Sequence, residues 1–542
     1  MRVLYKIILL LLALPFAPKA QQDMTFPLKE QISLTGNYAE LRPNHFHAGL
    51  DFKTHPEKHL LIYAVADGYV SRIKVGTHGY GKVLYITHAS GLVSVYGHQY
   101  GFNNKIKKYV EVAQEIQETF EIELFPGPND LPVKQGEVIG FSGNTGDSEG
   151  SHLHFEVRNE KTEVPLNPLR FLKVLDTVAP VITSFAVYED DYTAPAIFKV
   201  KKKTDTVMVS AKFGVGVECF DTELAGGSKN NIYKIELRLD DKLFYAHVLD
   251  SIAFDLARYV NTYCDYEIKM RDKIKIQKCF VGKNNDLPIY KTISKNGFVY
   301  LDDTLYHPLT IRVYDFYDHR AEVKMVVKRR APGRQKPIVQ LPQSCLLPFK
   351  KTTERYSIEL PAKSLYTDVT LVDSFSNNTL FFYAKGYNVP FQKSCTLSIK
   401  PPAHLLKYAD KFCLAGVSGK DREYAGGNLE NDLVKATVKN FGTYKVSLDT
   451  LAPKIKYIKP KKKLYYKDGD MIYFKVSDDL SGIGKFKITV NDTFQLAEYE
   501  HKTGMIFFAV KETTTRGKIK VKLVLDDKKN NRAALEVDLL VK

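Results

Sequence analysis

The sequence has few cysteines, and their spacing excludes one class of site. There are six among 542 residues: Cys219, Cys264, Cys279, Cys345, Cys395 and Cys413. No two of them have the Cys-x-x-Cys spacing of a thiolate metal site. Two interpretations stay open, because an exported chain pairs cysteines as disulfides whereas a buried thiol packs as a small hydrophobic residue.

Long apolar runs are also scarce. Residues 1–20 are predicted to be a signal peptide, since two basic residues precede the apolar run Ile7 to Leu14 and prolines and Ala20 follow it. The run is too short to cross a bilayer, which makes a membrane anchor the weaker alternative, and no cysteine follows it to carry a lipid. No later run predicts a transmembrane segment. We therefore expect an exported mature chain, located in the periplasm, the cell envelope or the extracellular space.

Two further absences narrow the function. No His-Glu-x-x-His motif occurs, which excludes the usual helix-borne metalloprotease site. No basic motif is interleaved with aromatic residues, so nucleic acid is not an expected partner. The net charge of +16 (78 Lys and Arg against 62 Asp and Glu) favours an acidic partner but does not choose one.

Histidine is distributed very unevenly along the chain. Nine of the 14 histidines lie between His45 and His154. Such crowding predicts a metal or acid–base site in the N-terminal part of the protein.

The pattern of the same part predicts a compact antiparallel β domain over residues 21–174. Short segments rich in Val, Ile, Tyr and Phe alternate with glycine-containing turns. An insertion at about residues 100–132 interrupts them, and apolar residues at near-helical spacing predict a helix over Asn103 to Thr119. From its position we expect this helix to form part of a cleft wall or a lid.

The remainder of the chain is predicted to consist of β modules. Asp176 to Ile182 (DTVAPVI) matches Asp449 to Ile455 (DTLAPKI), and each copy is followed by alternating strands. The two repeats predict immunoglobulin-like β-sandwiches at residues 175–332 and 448–542, with a third β-rich domain at 333–447. The fold class is therefore mainly β: an antiparallel domain followed by β-sandwich modules.

Three short pieces of the N-terminal domain carry the chemistry. They are Arg42 to Asp51 (RPNHFHAGLD), His88 to His98 (HASGLVSVYGH) and Gly143 to Val157 (GNTGDSEGSHLHFEV). Side chains at i and i+2 of a strand share a face, so His152 and His154 are predicted to face one pocket. Two imidazoles and a carboxylate are donors that suit a zinc ion.

These pieces resemble the lysostaphin-like zinc endopeptidases of bacterial cell walls, over about residues 26–172. The resemblance implies that the metal ligands are His47, Asp51 and His154, binding one Zn²⁺. It implies that His98 and His152 are catalytic, taking the proton of the attacking water and returning it to the leaving amine. Arg42 and Tyr96 are predicted substrate-binding residues, although Arg42 would equally brace its loop. The implied substrate is the peptide cross-bridge of peptidoglycan.

Two other functions stay open at this point. One is a non-catalytic regulator of other wall hydrolases, which the presence of all five site residues argues against. The other is an envelope-binding protein in which the C-terminal β modules dock envelope proteins. The histidines His45, His55, His59 and His78 are predicted to be loop or surface residues.

Overall fold

The structure is a computed structural model that describes residues 24–542 except 31–32, 190–193, 201–205, 223–226, 332–341, 461–464, 512–513 and 515. The predicted signal peptide (residues 1–20) and the predicted boundary at 332–333 lie outside these residues. Within the described ranges, no helix has the length and apolarity needed to cross a membrane.

The N-terminal domain is built from fourteen strands, one α-helix and a short 3₁₀ turn at Pro168–Arg170. The strands are β1 (Leu34–Gly36), β2 (Leu41–Arg42), β3 (His45–Phe46), β4 (Leu50–Lys53), β5 (Leu61–Tyr63), β6 (Gly68–Val75), β7 (Lys82–His88), β8 (Leu92–Gly97), β9 (Gly101–Phe102), β10 (Ile122–Leu124), β11 (Pro132–Val133), β12 (Val138–Phe141), β13 (His152–Asn159) and β14 (Pro165–Leu166). The helix is α1 (Asn104–Gln117).

One large antiparallel sheet organises this domain. Its order is β1-β4-β13-β8-β7-β6-β10, with β11 added to β6 and β14 to β13, while β5, β12 and β9 form a small second sheet. Strand β13 alternates strictly: Leu153, Phe155 and Val157 are fully buried in the core, and the even-numbered side chains face the opposite side. The register sets His154 opposite Asp51 of β4 on one side and Gly97 of β8 on the other.

Helix α1 confirms the predicted helix within the insertion. The Asn103 side chain caps it by accepting a hydrogen bond from the Ile106 N–H at 2.9 Å. Ile106 and Val110 are buried against the domain core. A role as cleft wall or lid stays a prediction.

The first module after this domain has two sheets around one core. Its elements are β15 (Val181–Tyr188), β16 (Ala196–Lys199), β17 (Val207–Val209), β18 (Lys212–Phe220), β19 (Lys234–Leu239), β20 (Lys242–Val248), α2 (Val260–Tyr263), α3 (Tyr266–Asp272), β21 (Ile276–Lys278), β22 (Tyr290–Ile293), β23 (Val299–Tyr300), β24 (Tyr306–Tyr314) and β25 (Arg320–Arg329), with 3₁₀ turns at Phe254–Tyr259 and Lys295–Gly297. One sheet has the order β16-β15-β18-β21 with β23 on β18, and the other β17-β25-β24-β19-β20-β22.

The middle and last modules repeat the two-sheet plan. The middle module holds β26 (Phe349–Thr352), β27 (Tyr356–Leu360), β28 (Leu371–Ser376), β29 (Thr379–Ala384), β30 (Cys395–Ile399), β31 (Phe412–Ser418), β32 (Asp421–Tyr424), β33 (Asn428–Glu430), β34 (Leu433–Val438) and β35 (Gly442–Leu448), with a 3₁₀ segment at Ala403–Lys411. The last module holds β36 (Lys454–Tyr457), β37 (Met471–Ser477), β38 (Ile483–Val490), β39 (Thr493–Gln495), β40 (Glu498–Glu500), β41 (Met505–Ala509), β42 (Gly517–Asp527) and β43 (Arg532–Val541).

The predicted fold class, mainly β with an antiparallel domain followed by β modules, is confirmed. The immunoglobulin-like type of the modules and the predicted domain limits stay predictions. All six cysteines are buried and unpaired. Of the two interpretations left open by the sequence, the structure therefore shows buried thiols.

A shared core joins the N-terminal domain to the modules. Apolar side chains of the β2–β3 hairpin, of the helical part of the first module and of the middle module pack in a single cluster. Among its buried members are Tyr38, Leu41, Phe46, Ile252, Tyr259, Tyr263, Tyr366 and Val389.

Candidate metal centre

The five histidine and aspartate side chains predicted from the sequence converge at one end of the large sheet. Asp51 lies in β4 and His154 lies opposite it in β13. His98 directly follows β8, the other neighbour of β13. His47 precedes β4, and Gly49 lets that segment pass close to β13, because a Cβ atom there would lie 2.2 Å from the Phe155 carbonyl oxygen.

Three of these residues form a compact set of metal donors. The Asp51 Oδ1 atom lies 3.1 Å from His47 Nε2 and 2.9 Å from His154 Nδ1. The two imidazole nitrogens are 3.0 Å apart, and all three residues are buried. A tetrahedral zinc ion with bonds of about 2.0–2.1 Å holds its ligand atoms roughly 3.3 Å apart. The donor set therefore fits zinc.

Each of the three donor residues makes a hydrogen bond to a further group through an atom that does not face the centre. His47 Nδ1 donates to the Asn37 carbonyl oxygen at 2.7 Å, and His154 Nε2 donates to Glu156 Oε1 at 2.8 Å. The other oxygen of Asp51 accepts from the Arg42 guanidinium. These bonds fix the tautomers that present His47 Nε2 and His154 Nδ1 to the centre, as in many zinc sites.

The charged groups around the centre shift the pKa values of its donors. Burial opposes the charged form of His154, but hydrogen bonds to the Asp51 and Glu156 carboxylates outweigh burial and raise its pKa to about 9. Burial likewise works against ionised Asp51, yet the charge of His47 and the hydrogen bond from His154 hold its pKa well below the usual range. Without a metal, a proton on His154 thus offsets the negative charge of Asp51 and Glu156, and a bound cation would displace that proton.

His98 and His152 lie next to the three donors: His152 Nε2 is 3.4 Å from Asp51 Oδ1, and the rings of His98 and His154 are 5.9 Å apart between centroids. His98 Nδ1 donates to the Thr145 carbonyl oxygen and His152 Nδ1 to the Gly150 carbonyl oxygen, both at 2.8 Å. Since a carbonyl only accepts, each ring carries its proton on Nδ1 and presents an Nε2 lone pair. The rings are 4.8 Å apart between centroids. His152 Nε2 is buried without a hydrogen-bond partner, which is a further sign that a bound group belongs there.

Burial sets the protonation state of His98. Burial, together with the neighbouring His154 and His152, lowers the pKa of His98 to about 3. The ring is therefore neutral across the physiological range. A neutral imidazole with a free Nε2 can accept a proton from water.

The structure adds site residues that the sequence analysis missed. Glu156 is fully buried, bonds to His154 and is held by Arg158 Nε at 2.6 Å. The Tyr80 hydroxyl also bonds to Glu156, and its ring stacks on His154 with centroids 5.0 Å apart. The signal for Glu156 was present, because it follows His154 by two residues in the same strand and so shares its face. Tyr80 and Asn37 gave no such signal.

Of the two predicted substrate-binding residues, the structure corrects Tyr96. Tyr96 is 0% exposed. Its hydroxyl accepts hydrogen bonds from the Val65 N–H and the Ser94 hydroxyl, both at 3.0 Å. Because the ring lies in the core and its polar atom is satisfied there, Tyr96 does not line the cleft. Arg42 lies at the site, where it pairs with Asp51 and Glu40.

The last module lies against the rim of the centre. The rim consists of two glycine-containing loops, residues 76–81 and 143–150, that pack tightly: a Cβ atom on Gly146 would lie 2.2 Å from the Gly79 carbonyl oxygen. Lys502, in the turn after β40, donates to the carbonyl oxygens of Asn144 and Ser148. Lys82 and Glu498 form an ion pair of 2.8 Å across the same junction.

Comparison with known families agrees with this geometry. The model of peptidase family M23 matches residues 45–121 and 129–168, a span that contains all five converging side chains. The N-terminal domain belongs to peptidase family M23. The resemblance predicted from the sequence is thereby confirmed for this domain. A second model, that of the Zu5-like domain, matches residues 348–449, which correspond to the middle module.

Two curated relatives are similar to about a quarter of this chain. The DD-carboxypeptidase/endopeptidase Mpg of Neisseria meningitidis serogroup B is 31% identical over 123 residues, which are 23% of this chain and 22% of that protein. An uncharacterized metalloprotease of Haemophilus influenzae is 29% identical over 142 residues, 26% of this chain and 23% of that protein. The chain thus spans about a fifth of the length of the curated relatives it matches.

Two solved structures are also similar to part of this chain. A mutant catalytic domain of the M23 protein EnpA from Enterococcus faecalis matches with a TM-score of 0.20 and 23% identity, covering 27% of this chain and 94% of that chain. The catalytic domain of lysostaphin from Staphylococcus simulans matches with a TM-score of 0.19 and 20% identity, covering 25% of this chain and 87% of that chain.

Proposed function

We propose that this protein is an exported zinc metallopeptidase that hydrolyses peptide cross-bridges of peptidoglycan. The observation that carries the proposal is the convergence, within the M23 domain, of a His-Asp-His donor set and two histidines that turn free Nε2 atoms toward it. The similarity to proteins named DD-carboxypeptidase/endopeptidase supports peptide bonds of the cell wall as the substrate class. The retained donor set argues against a non-catalytic regulator.

His47, Asp51 and His154 would hold the zinc ion. A zinc ion bound there supplies a Lewis acid that polarises the scissile carbonyl and acidifies water. Asn37, Glu156 and Arg42 keep the three donors oriented through the hydrogen bonds described above. The carboxylate of Asp51 offsets part of the positive charge.

The two remaining histidines move the proton. His98, neutral because its pKa is about 3, accepts the proton of the attacking water at Nε2. His98 then returns that proton from Nε2 to the leaving amine, while His152 presents its own Nε2 lone pair to the same space, where it accepts a hydrogen bond from the attacking water. The carbonyl oxygens of Thr145 and Gly150 keep both rings in the tautomer that these roles require.

Digestion of purified peptidoglycan tests the proposal. The full chain should release monomeric muropeptides from cross-linked dimers, and mass analysis also shows whether a terminal residue is removed instead. His154→Ala should lose both the zinc ion of this centre and hydrolysis. His98→Ala should keep zinc and lose about 10²–10⁴-fold in kcat, the usual contribution of a general base.

An exposed histidine provides the matched control. His404 lies on the surface of the middle module, and His404→Ala should leave zinc content and rate unchanged. Hydrolysis by His154→Ala with zinc verified absent would overturn the mechanism. Unaltered peptidoglycan with the zinc-loaded wild type would overturn the substrate class.

Export and partners form part of the same proposal. Residues 1–20 would direct the chain out of the cytoplasm, and the C-terminal modules would dock envelope proteins. Cell fractionation with and without residues 2–20 tests export: the truncated chain should stay in the cytoplasm, and unchanged localisation would contradict the prediction.

A further inference from the structure

A second cluster of two histidines and one aspartate lies at the junction between the M23 domain and the last module. His78 and Asp147 come from the two rim loops of the M23 domain, and His501 comes from the β40–β41 turn of the last module. One donor atom from each of the three residues lies within 4.8 Å of the others. The sequence predicts His78 to be a loop or surface residue and indicates no role for Asp147 or His501.

The distances within this cluster resemble those of the catalytic donor set. Asp147 Oδ1 lies 3.1 Å from His78 Nδ1 and 3.3 Å from His501 Nε2. The two imidazole rings are 4.2 Å apart between centroids. The two distances from Asp147 Oδ1 match the roughly 3.3 Å between ligand atoms of a tetrahedral zinc ion. The donor types, two imidazoles and one carboxylate, are those that zinc accepts.

The surrounding contacts pre-organise the three donors. The other carboxylate oxygen of Asp147 accepts from the Gly79 N–H at 2.7 Å, so Oδ1 is the atom that faces the histidines. The Asp147 N–H in turn donates to the Gly79 carbonyl oxygen at 2.8 Å. On the opposite side, Glu500 accepts from the backbone N–H groups of Lys502 and Thr503, which fixes the turn that carries His501.

The exposure of the cluster leaves room for further ligands. The side chain of His501 is 19% exposed, while those of His78 and Asp147 are 64% and 57% exposed. Three protein donors with an open side are the arrangement in which water completes the coordination of zinc. Without a cation, exposed His–Asp pairs would contribute little to the junction.

We propose that His78, Asp147 and His501 form a second zinc site that fastens the last module to the rim of the M23 domain. The ion would also restrain loop 143–150, whose Thr145 carbonyl orients His98. The proposal concerns metal binding between two domains, and it stands whether or not the M23 domain cleaves peptidoglycan.

Metal stoichiometry of the full chain tests this site. After equilibrium dialysis against Zn²⁺, wild type should hold two ions per chain, and His501→Gln and His78→Gln should each hold one. His404→Gln, with a histidine exposed on the middle module, serves as the matched control and should hold two. In a His154→Ala background the remaining ion should disappear when His501→Gln is added, which separates this site from the catalytic one.

The second measurement follows the position of the last module. Small-angle scattering of wild type should show a more compact particle with Zn²⁺ than with a chelator, and His501→Gln should remove that difference. One ion in wild type, or two ions retained in both His501→Gln and His78→Gln, would overturn the proposal. A zinc-dependent compaction that persists in His501→Gln would overturn the fastening role.

Discussion

The first and last modules begin with the same Asp-Thr-x-Ala-Pro segment, yet they contact the M23 domain in opposite ways. The first module shares a buried apolar core with it. In that core Tyr263 is 1% exposed and packs on Phe46 of the β2–β3 hairpin, with ring centroids 5.5 Å apart. The last module meets the domain mainly through charged and polar groups at its surface, and Phe486 of β38 is its apolar contact with the edge of the domain core.

Hydrogen bonds at the first junction reach the candidate metal centre itself. The Asn231 N–H donates to Asn37 Oδ1 at 3.0 Å, and the Asn37 side-chain amide donates to the Asn231 carbonyl oxygen at 2.7 Å. The Asn37 carbonyl oxygen orients His47. The first module thus supports a metal donor through two buried residues.

The pairs at the last junction are largely solvated. Lys487 pairs with Glu118 and Lys511 with Glu115 of α1. Exposed pairs of this kind contribute typically less than about 1 kcal/mol each. Two modules that begin with the same sequence repeat can therefore be attached to the M23 domain in different ways. The first module shares a core with the domain that holds the site, whereas the last module is held mainly by surface contacts.

The largest expected effect comes from opening the shared core. Tyr263→Ala should lower the free energy of unfolding by about 3–5 kcal/mol, because it removes a fully packed aromatic ring. Urea unfolding followed by far-UV circular dichroism measures the change. Tyr383→Ala, at a half-exposed tyrosine of the middle module, should change it by less than about 1 kcal/mol. Equal effects of the two changes would remove the contrast between the junctions.

A smaller effect is expected from the asparagine pair. Asn37→Ala should destabilise the chain by about 1–3 kcal/mol, since it leaves the buried N–H and carbonyl groups of Asn231 unmet. It should also weaken zinc binding at the catalytic site about 10–100-fold, because the backbone carbonyl of residue 37 that orients His47 loses its anchor. Competition with a chromophoric chelator measures the affinity. Lys502→Ala in the last module should leave that affinity unaltered, and a matching loss there would contradict the comparison.

The pH dependence of zinc binding tests the protonation state of His154 and its independence from the last module. Below its pKa of about 9, His154 carries a proton that the ion must displace. The apparent association constant should therefore rise about tenfold per pH unit between roughly pH 6 and 9 and level off above. Isothermal titration at several pH values measures this slope. Lys502→Ala should reproduce the wild-type slope, and a flat profile in wild type would contradict the protonated state of His154.

The smallest effect concerns the ion pairs of the last module. Glu498→Gln should change the free energy of unfolding by less than about 1 kcal/mol. Limited proteolysis in the presence of a chelator should nevertheless cut near residue 450 faster at 1 M NaCl than at low salt, because salt screens exposed pairs. Cleavage that is insensitive to salt would show that the last module is held like the first.

Much of the site could be predicted because its residues follow local rules. The alternation of β13 placed His152 and His154 on one face, and the same rule reaches Glu156. Asn37 and Asn231 could not be predicted, since nothing local indicates that residues 194 positions apart hydrogen-bond. The prediction for Tyr96 failed although its motif is local. Tyr96 lies two residues before His98 in the Tyr-x-His motif, but the backbone turns at His98, which has a positive φ of 59°, and the two side chains lie in different environments.

The attachment of the last module to the M23 domain also could not be predicted from the sequence. Lysines and glutamates that pair across a junction do not differ in pattern from those on a solvated strand face. The Asp-Thr-x-Ala-Pro repeats identified two modules of the same type. They carried no information on which would share a core with the M23 domain.

Because Asp51 and His154 are paired across β4 and β13, the metal site depends on the register of these two strands. A slip of one residue between these strands would turn every side chain of one strand to the other face. Asp51 would then point into the core and the donor set would be broken. The His47–Asp51–His154 centre would consequently bind zinc only in chains whose central strands have paired correctly. The zinc occupancy of this centre would thus report the fraction of molecules in which β4 and β13 have the native register.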